Sequence, residues 1–541
     1  MFRLLDTSRP RLVLVLFCLL LWTPGFFTLP PGDRDESRFA QATKQMLETG
    51  DFVRIQNGNE ARNRKPIGIY WLQTPFVAAA DALGVARANP IWPYRLPSAL
   101  GGLIAVLGTF SLGALLFGQP AGMLGAAFLA ASVILSGEVH IAKTDAALLG
   151  SVVLAMGVLA RAYLQPSTLR LSHAVLFWLA MAASILLKGP IGPMVAALTA
   201  VTLSLADRRW AWLRGLRPAW GVPLMLAAVL PWFVAIGTAT GGRFFAEAVG
   251  GDLGRKLSSG DDSHWGPPLL HALLAPLLLL PAAALLPQSL LRAWRDRTDP
   301  VLRFLLAWAG PSWIVFEAVP TKLPHYTLPL YPALCLLAAC WVLRPDRRPI
   351  QRWAALLPIV LAVALAVALG ALPILLGLPV AIGLPAMVAG LLLAAVFTPL
   401  LRRPIPARWQ IERRAVSAAL LCMPVLYWAA LGWELPRLGP VWIAPQVAAV
   451  LPPGRLGTVG FAEPSLMFLA GTQTEWLRPK EAAAALASHE IASLLVGDRD
   501  LSAVLVDLAR LGQKPEQVAV VRGFNYSRGR FVTLTLLVPE R

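Results

Sequence analysis

Charged residues are scarce in this sequence: Asp, Glu, Lys and Arg supply 14% of its 541 residues, whereas an ordinary soluble domain carries about 25%. Apolar residues supply 57%, and the mean hydropathy is +0.62. Cysteine is also rare. Because Cys18, Cys335, Cys340 and Cys422 all lie within apolar runs, they favour packing as small hydrophobic residues over a disulfide framework. The composition excludes a conventional soluble domain and predicts a polytopic membrane protein.

Thirteen apolar runs are candidates to cross a bilayer, whose hydrocarbon core of about 30 Å needs roughly 20 residues of helix. The first run follows several arginines and lacks a small-residue cleavage site, which favours a retained anchor over a cleaved signal sequence. We therefore expect an α-helical membrane protein with about thirteen spans, near residues 12–29, 95–117, 120–137, 145–163, 173–187, 190–206, 219–237, 267–291, 301–319, 327–343, 354–375, 379–401 and 415–433.

The net charge of +18 does not indicate nucleic-acid binding, because the arginines are distributed among alternate loops between the apolar runs. Such loops remain cytoplasmic under the positive-inside rule. The pattern predicts a cytoplasmic N-terminus and one basic face, formed by Arg161 and Arg170; Arg208, Arg209, Arg214 and Arg217; Arg292, Arg295 and Arg297; Arg344, Arg347, Arg348 and Arg352; and Arg402, Arg403, Arg408, Arg413 and Arg414.

The opposite face receives loops of mixed charge, and the longest of them spans residues 30–94. Its segment GDRDESRFAQATKQMLETGD, residues 32–51, holds a dense group of carboxylates. Apolar residues within it recur at helical spacing, and Gly50 is a stop signal. Residues 64–84 form an apolar stretch broken by prolines, which is typical of an interfacial helix. Any chemistry is therefore expected on the extracytoplasmic side.

Three motifs follow one another in this loop: DESRFA at 35–40, MLETGD at 46–51 and KPIGIYW at 65–71. They resemble the pattern D-E-x-R-[YF]-A, M-L-x-[ST]-G-D and E-K-P-P-x-x-Y-W of bacterial GT-C membrane glycosyltransferases. These are the relatives of protein O-mannosyltransferases and of ArnT-like lipid A aminoarabinose transferases. The resemblance implies a GT-C fold and covers essentially the whole chain.

The resemblance also implies an inverting transfer of a sugar from a polyprenyl-phosphate donor to an acceptor hydroxyl. Asp35 matches the catalytic carboxylate that takes the proton from the acceptor. Glu36 is expected to support the loop by hydrogen bonding to the backbone or to Arg38. Asp145 matches a second acidic residue, which either assists the base or caps its helix together with Thr144.

The phosphate leaving group needs positive charge where negative charge develops. By the resemblance, Lys65 matches a lysine that binds the lipid phosphate, Lys188 matches another lysine near the donor, and Lys322 with Tyr326 matches a K-L-P-x-Y segment. A lysine at a helix end is otherwise a snorkelling anchor.

A metal site is doubtful, because the usual glutamate before the motif lysine is replaced by Arg64. In the aminoarabinose branch that glutamate and a histidine matching His264 hold a metal. An arginine does not coordinate a cation, but it binds phosphate bidentately. We therefore expect no metal, with Arg64 and His264 contacting phosphate or sugar, and we leave His325 open between a structural and a catalytic role.

Beyond Leu435 the pattern changes to four short strands and two intervening helices. The sequence therefore predicts two regions: a transmembrane catalytic domain at 1–435 and a small extracytoplasmic α/β domain at 436–541. Asn525 to Gly529 is interpreted as a hairpin turn.

Two other classes of function stay open. A non-catalytic protein that binds polyprenyl phosphate or glycan would use the same loops without needing Asp35. A transporter would bury ionisable groups in mid-helix, and these are nearly all at helix ends here. The partners expected are the lipid-linked donor, membrane lipids and an envelope glycolipid (such as lipid A), core oligosaccharide, other glycan or protein acceptor in a bacterial inner membrane; the sequence does not identify the sugar.

The topology is testable with alkaline phosphatase fused after Arg214, Arg348 or Arg541. We expect activity only at the third site, because the first two lie in arginine-rich loops that remain in the cytoplasm. Activity at either of the first two sites, or none at the third, contradicts the assignment.

Overall fold

The computed structural model describes residues 7–85, 89–253, 265–344, 351–401 and 408–540, so His264 lies outside the described residues. The α-helices are α1 (Pro10–Trp22), α2 (Asp35–Thr49), α3 (Gly68–Ala82), α4 (Trp92–Phe117), α5 (Gln119–Ala131), α6 (Val133–Val139), α7 (Asp145–Leu164), α8 (Leu171–Lys188), α9 (Ile191–Asp207), α10 (Pro218–Ala239), α11 (Arg243–Phe245), α12 (Leu270–Leu278), α13 (Leu286–Arg295), α14 (Pro300–Ala318), α15 (Tyr331–Leu343), α16 (Arg352–Leu375), α17 (Leu384–Phe397), α18 (Arg408–Tyr427), α19 (Ile443–Ala448), α20 (Pro464–Ala470), α21 (Pro479–Ala487) and α22 (Asp498–Arg510).

Shorter helical segments of other types join these helices. Two are π-helical, Ala246–Leu253 and Trp428–Glu434. The 3₁₀ segments are Pro166–Thr168, Ala211–Leu216, Ala283–Leu285, Pro324–Leu330, Val380–Ile382, Thr398–Leu401, Leu435–Arg437 and Gly439–Val441. The strands are β1 (Gln56–Asn57), β2 (Glu60–Ala61), β3 (Leu456–Val459), β4 (Glu475–Trp476), β5 (Ser493–Gly497), β6 (Glu516–Asn525) and β7 (Arg530–Val538).

Nine helices in the described part of the chain are long and apolar enough to cross a membrane. The helices α5 and α6 would form a tenth span, bent by 62°, while α1 and α9 are apolar but shorter. Together these elements correspond to twelve of the thirteen predicted runs. The chain is a multi-pass membrane protein, as its composition predicts.

The remaining run, 267–291, is the eighth along the chain, and it is not one helix. It is divided into α12, a 3₁₀ turn and α13. Pro281 lies in the turn between α12 and the 3₁₀ segment, and Pro287 lies in the first turn of α13, whereas Pro276 is accommodated inside α12. A proline has no backbone N–H with which to continue a helix, but it is tolerated in a first turn. Hydropathy alone therefore overestimated its length as a continuous span.

The first loop has the helix that its periodicity predicts. The helix α2 ends at Gly50, which adopts a left-handed conformation with φ 71°, as a helix stop of this kind requires. A short hairpin of β1 and β2 follows, and then α3 continues through Pro75. The buried face of α2 includes Phe39, Ala42 and Met46.

The helices α4 and α7 pack closely at two glycines. A Cβ atom on Gly101 would lie 2.4 Å from the Cα of Ala147, and one on Gly150 would lie 2.7 Å from the carbonyl oxygen of Gly101. Small residues allow helix backbones to approach in this way within a membrane. The contact fixes the start of α7, where Asp145 lies, relative to α4.

The C-terminal region forms a five-stranded sheet in the order β4-β3-β5-β7-β6. The strand β3 is parallel to β4 and β5, while β7 is antiparallel to β5 and β6. The predicted strands, the predicted helices and the hairpin turn before Gly529 are present. Three short elements were not predicted: β4, which is two residues long, and the helices α19 and α20, of six and seven residues.

Gly101→Ala is expected to destabilise the protein by about 1–3 kcal/mol, because the added methyl group meets backbone atoms of α7 that cannot rotate away. Thermal unfolding in detergent measures the change. Gly157→Ala is the matched control on α7, since a Cβ atom there meets nothing within 4 Å. Equal unfolding temperatures for the two variants would refute the packing argument.

Candidate functional site

A buried ion pair anchors the first loop to α4. Arg95 Nε donates to Glu36 Oε1 at 2.8 Å, and Arg95 Nη2 donates to Glu36 Oε2 at 3.1 Å. The backbone N–H of Gly32 donates to Oε2 at 2.7 Å, and that of Ala142 donates to Oε1 at 2.9 Å. Glu36 therefore accepts four hydrogen bonds, which is about the capacity of a carboxylate.

The other hydrogen bonds of Arg95 go to backbone carbonyls that follow α1. Its Nη1 donates to Phe26 and Leu29, and its Nη2 donates to Pro30. With the two bonds to Glu36, all five guanidinium donors are used. The expectation that Glu36 supports the loop through the backbone agrees with these contacts. Of the two alternatives, backbone or Arg38, the structure has the backbone contacts, and the arginine bound to the carboxylate is Arg95.

Asp35 is the first residue of α2, and its side chain is 59% exposed. Arg38 and Arg62 each approach its Oδ1 at 3.9 Å. No hydrogen bond joins the Asp35 side chain to any residue in the described ranges. The carboxylate thus lies among positive charges at a helix N-terminus, a position that stabilises an anion, and its oxygens are available to a substrate.

Arg62 was not singled out in the sequence. Its guanidinium lies over the ring of Phe39, with the central carbon 4.7 Å from the ring centroid, and the side chain is only 11% exposed. Its Nε has no hydrogen-bond partner among the described residues. A cation fixed on an aromatic face beside Asp35 contributes a permanent positive charge to this site.

A buried charge cluster lies at the start of α7 and consists of Glu138, Lys143, Asp145, Lys188 and His325. Lys143 Nζ lies 3.0 Å from Glu138 Oε1 and 3.6 Å from Asp145 Oδ2. Lys188 donates a hydrogen bond to Asp145. His325 Nδ1 lies 3.3 Å from Lys143 Nζ, and its Nε2 lies 3.8 Å from Asp145 Oδ1. The two acidic and two basic side chains compensate one another's charge.

The cluster adjoins Asp35 and the Lys65 segment. Burial opposes the charge of Lys143, but Glu138 and Asp145, with a smaller effect of Asp35, raise the pKa of Lys143 above its ordinary value. Lys65 also interacts electrostatically with His325. The first loop and the cluster therefore form one electrostatic site.

Packing brings the Lys65 segment to the end of α8. A Cβ atom on Gly68 would lie 2.7 Å from the carbonyl of Leu186, so only glycine allows α3 to approach α8 this closely. Lys188 follows two residues later, with its ammonium group 5.1 Å from the ring centroid of Tyr326. Three predicted donor-binding residues, Lys65, Lys188 and Tyr326, thus belong to one region.

Lys322 is engaged differently from this group. Its Nζ donates to the backbone carbonyls of Val319 at 2.9 Å and Gly266 at 3.3 Å, and the residue is buried. In this conformation Lys322 links the end of α14 to the segment before α12. Its predicted contact with the lipid phosphate stays a prediction.

The residues do not fit the metal site of the aminoarabinose branch. Arg64 is exposed and supplies no ligand where that site has a carboxylate. Within the described ranges, no three His, Cys, Asp or Glu side chains come together as a metal site would require. His264, the other expected ligand, lies outside the described residues.

Asp33, Asp35, Glu138 and Asp145 are carboxylates near the site that could accept a proton. Glu138 is buried, and its Oε1 lies 3.0 Å from Lys143 Nζ. Asp145 is bound to Lys188. Asp33 accepts a hydrogen bond from Ser465, and burial, which outweighs that bond, raises the pKa of the Asp33 carboxyl to about 6. A pKa in that range suits proton transfer, but the carboxyl group faces a protein partner. Of these carboxylates, Asp35 is the one whose side-chain oxygens accept no hydrogen bond from the described residues.

Glu36→Gln is expected to destabilise the protein by about 3–5 kcal/mol, because it leaves the buried Arg95 guanidinium without its counter-charge. The measurement is the thermal unfolding midpoint in detergent. Glu60→Gln, on the exposed β1–β2 hairpin, is the matched control. If both variants unfold at the wild-type temperature, the pair does not anchor the loop.

Comparisons with known proteins agree with the motifs. Residues 64–234 match a family model described as dolichyl-phosphate-mannose-protein mannosyltransferase. The undecaprenyl phosphate-alpha-4-amino-4-deoxy-L-arabinose arabinosyl transferases of Pseudomonas paraeruginosa and Pseudomonas aeruginosa are each 30% identical to the chain, over 332 and 335 residues. Each match covers 59% of this chain and only 58% of the relative's length.

The structure is similar over nearly its full length to ArnT from Cupriavidus metallidurans. The crystal structure of that protein bound to undecaprenyl phosphate aligns with a TM-score of 0.76 at 21% identity, covering 98% of both chains. Its apo structure aligns with a TM-score of 0.75 at 20% identity, covering 97% of both. The chain therefore has the GT-C fold of ArnT, and the resemblance to protein O-mannosyltransferases and aminoarabinose transferases predicted from its motifs is confirmed.

Proposed function

We propose that this protein is an inverting glycosyltransferase that moves a sugar from a polyprenyl-phosphate donor to an acceptor hydroxyl on the extracytoplasmic face. The observation that carries the proposal is Asp35, an exposed carboxylate without a hydrogen-bonding protein partner in the described ranges, beside two guanidinium groups in a GT-C fold. Relatives named as undecaprenyl-phosphate-dependent transferases support the class of donor.

The proposed reaction forms one bond and breaks one. The acceptor oxygen attacks the anomeric carbon of the sugar while Asp35 takes the hydroxyl proton. The carrier phosphate leaves from the opposite side with the electron pair of the broken C–O bond, and this inverts the configuration. Asp35 is suited to the base role because its carboxylate is reachable from solvent, whereas Asp33 and Asp145 are engaged with protein.

We assign binding of the leaving phosphate first to Lys65 and Arg64. Both residues lie just before α3, whose first residue, Gly68, packs against the end of α8. Positive charge at this point stabilises the charge that develops on the departing phosphate. Lys188 and Tyr326 extend the donor site, with the Lys188 charge partly compensated by Asp145. Lys322 and His264 complete the set of proposed donor contacts, and Arg38 supports the Asp35 loop.

We propose that the N-terminus is cytoplasmic and that residues 436–541 form an extracytoplasmic domain above the membrane domain, 1–435. Contacts between α2 and α20 support a common side for the first loop and the C-terminal sheet. Gln41 Nε2 donates to Thr472 at 2.8 Å, and Lys44 Nζ donates to the carbonyl of Phe468 at 3.3 Å. The proposed location is the bacterial inner membrane.

The acceptor is proposed to be an envelope glycolipid, glycan or protein. The names of the curated relatives make undecaprenyl-phosphate-linked 4-amino-4-deoxy-L-arabinose the first donor to assay. The motif resemblance to lipid A aminoarabinose transferases makes lipid A the first acceptor. Mass spectrometry of envelope glycolipids and glycoproteins from a deletion strain identifies the acceptor if that pair is inactive.

Asp35→Asn is expected to lower the turnover number by about 10² to 10⁴, because it preserves the shape of the side chain and removes the general base. Binding of undecaprenyl phosphate should stay near that of the wild type. Initial rates of sugar transfer by the purified protein give the first quantity, and titration with undecaprenyl phosphate gives the second.

Lys65→Ala should weaken the binding of undecaprenyl phosphate and also lower the turnover number, because it removes charge that stabilises the departing phosphate, while Glu60→Gln should match the wild type. Transfer by Asp35→Asn at the wild-type rate would refute the base assignment. Binding of undecaprenyl phosphate without transfer of any sugar, in wild type and variant alike, would instead favour a non-catalytic carrier-binding protein.

A further inference from the structure

The C-terminal sheet region reaches the residue that immediately precedes Asp35. Glu463 lies just before α20 with its side chain 1% exposed. Its Oε2 accepts a hydrogen bond from Arg34 Nε at 3.2 Å. Its Oε1 accepts one from Asn525 Nδ2 at 3.0 Å and lies 3.7 Å from Arg528 Nε. This buried carboxylate thus joins the first loop to the β6–β7 hairpin.

Asp33 makes a second contact with the same surface. Its carboxylate accepts a hydrogen bond from the hydroxyl of Ser465, and its backbone N–H donates to the hydroxyl of Tyr526. Both residues before Asp35 are therefore held by the C-terminal sheet region. These partners are separated from the first loop by more than 400 residues of sequence, 429 in the case of Arg34 and Glu463.

The backbone of Arg34 is the reason why these contacts affect Asp35. Arg34 has φ 66° and ψ −110°, and a positive φ is uncommon for a residue with a side chain. Such a conformation is strained and persists only when the surroundings hold it. Since α2 begins at the next residue, the conformation of Arg34 sets the direction in which Asp35 leaves the backbone.

We propose that Glu463 is a positioning residue for Asp35, which it orients by holding the Arg34 side chain and the strained backbone at the entry to α2. The inference rests on the proposed function, because it concerns the residue assigned as the base. The C-terminal sheet region then acts on the position of the base through this one contact with the first loop. Loss of the contact should impair the proton-transfer step and leave the donor site intact.

Glu463→Gln tests the proposal with little change in shape. The glutamine Oε1 still accepts from Asn525, but its amide NH₂ replaces Oε2 and meets the Arg34 N–H donor, so the contact with the first loop is lost. The charge that faces Arg528 is lost as well, and the Arg528→Gln variant below accounts for that second loss. We expect the turnover number to fall by about 10- to 100-fold, as for a misplaced catalytic group. The KM for the donor and the binding of undecaprenyl phosphate should match the wild type.

Arg34→Gln should cause the same fall from the other side of the contact. The double variant should lose no more activity than either single variant, because both changes remove one interaction. Arg528→Gln is the matched control: it removes the other guanidinium near Glu463 and leaves the Arg34 contact in place, so it should keep the wild-type turnover. Unfolding temperatures establish that each variant is folded.

A folded Glu463→Gln protein with wild-type turnover overturns the proposal, as does a double variant whose loss is the product of the single losses. If Glu463→Gln does not fold, the half-exposed Arg34→Gln decides alone, and wild-type turnover in that variant overturns the proposal. Failure of the proposed function is distinguishable, since it shows as wild-type transfer in Asp35→Asn. An inactive Asp35→Asn together with an active Glu463→Gln rejects only the positioning role.

Discussion

The pair of Glu36 and Arg95 is the contact on which the geometry of the site depends. All five guanidinium donors and the four acceptor positions of the carboxylate are used. A buried ion pair compensates for its desolvation only when its remaining hydrogen-bonding capacity is satisfied, and this one meets that condition. The pair joins the end of the first apolar segment, the start of α2, α4 and the backbone before Lys143, so each part of the site is placed relative to it.

Charge is divided in this site between buried groups that compensate one another and the exposed carboxylate of Asp35. Glu138, Lys143, Asp145 and Lys188 lie together around the start of α7, largely removed from solvent, where an isolated charge would be costly. Asp35 is solvent-accessible instead. Buried charges therefore fix the shape of the site, while the exposed carboxylate remains available for chemistry.

Local patterns in the sequence predicted those elements of the fold that local interactions determine. The helix that ends at Gly50, the strands of the C-terminal sheet and the membrane spans follow from periodicity and turn chemistry. The partners of Glu36 and Arg34 were not predictable, because Arg95 and Glu463 are distant in sequence and lack a motif. Arg95 had one signal, an arginine at the head of an apolar run, whereas Glu463 had none. The break in 267–291 was visible in its prolines, which hydropathy does not weigh.

The residues on either side of Asp35 are anchored to different parts of the fold. Glu36 is held by Arg95 on the membrane domain, and Arg34 is held by Glu463 on the C-terminal sheet region. A backbone fixed at both neighbours places the intervening side chain without using that side chain's own hydrogen-bonding capacity. A general base needs this combination, because its position must be set before the acceptor arrives while its oxygens remain available for the proton. The charged cluster behind the first apolar segment therefore contains two anchored residues, with Asp35, the proposed base, between them.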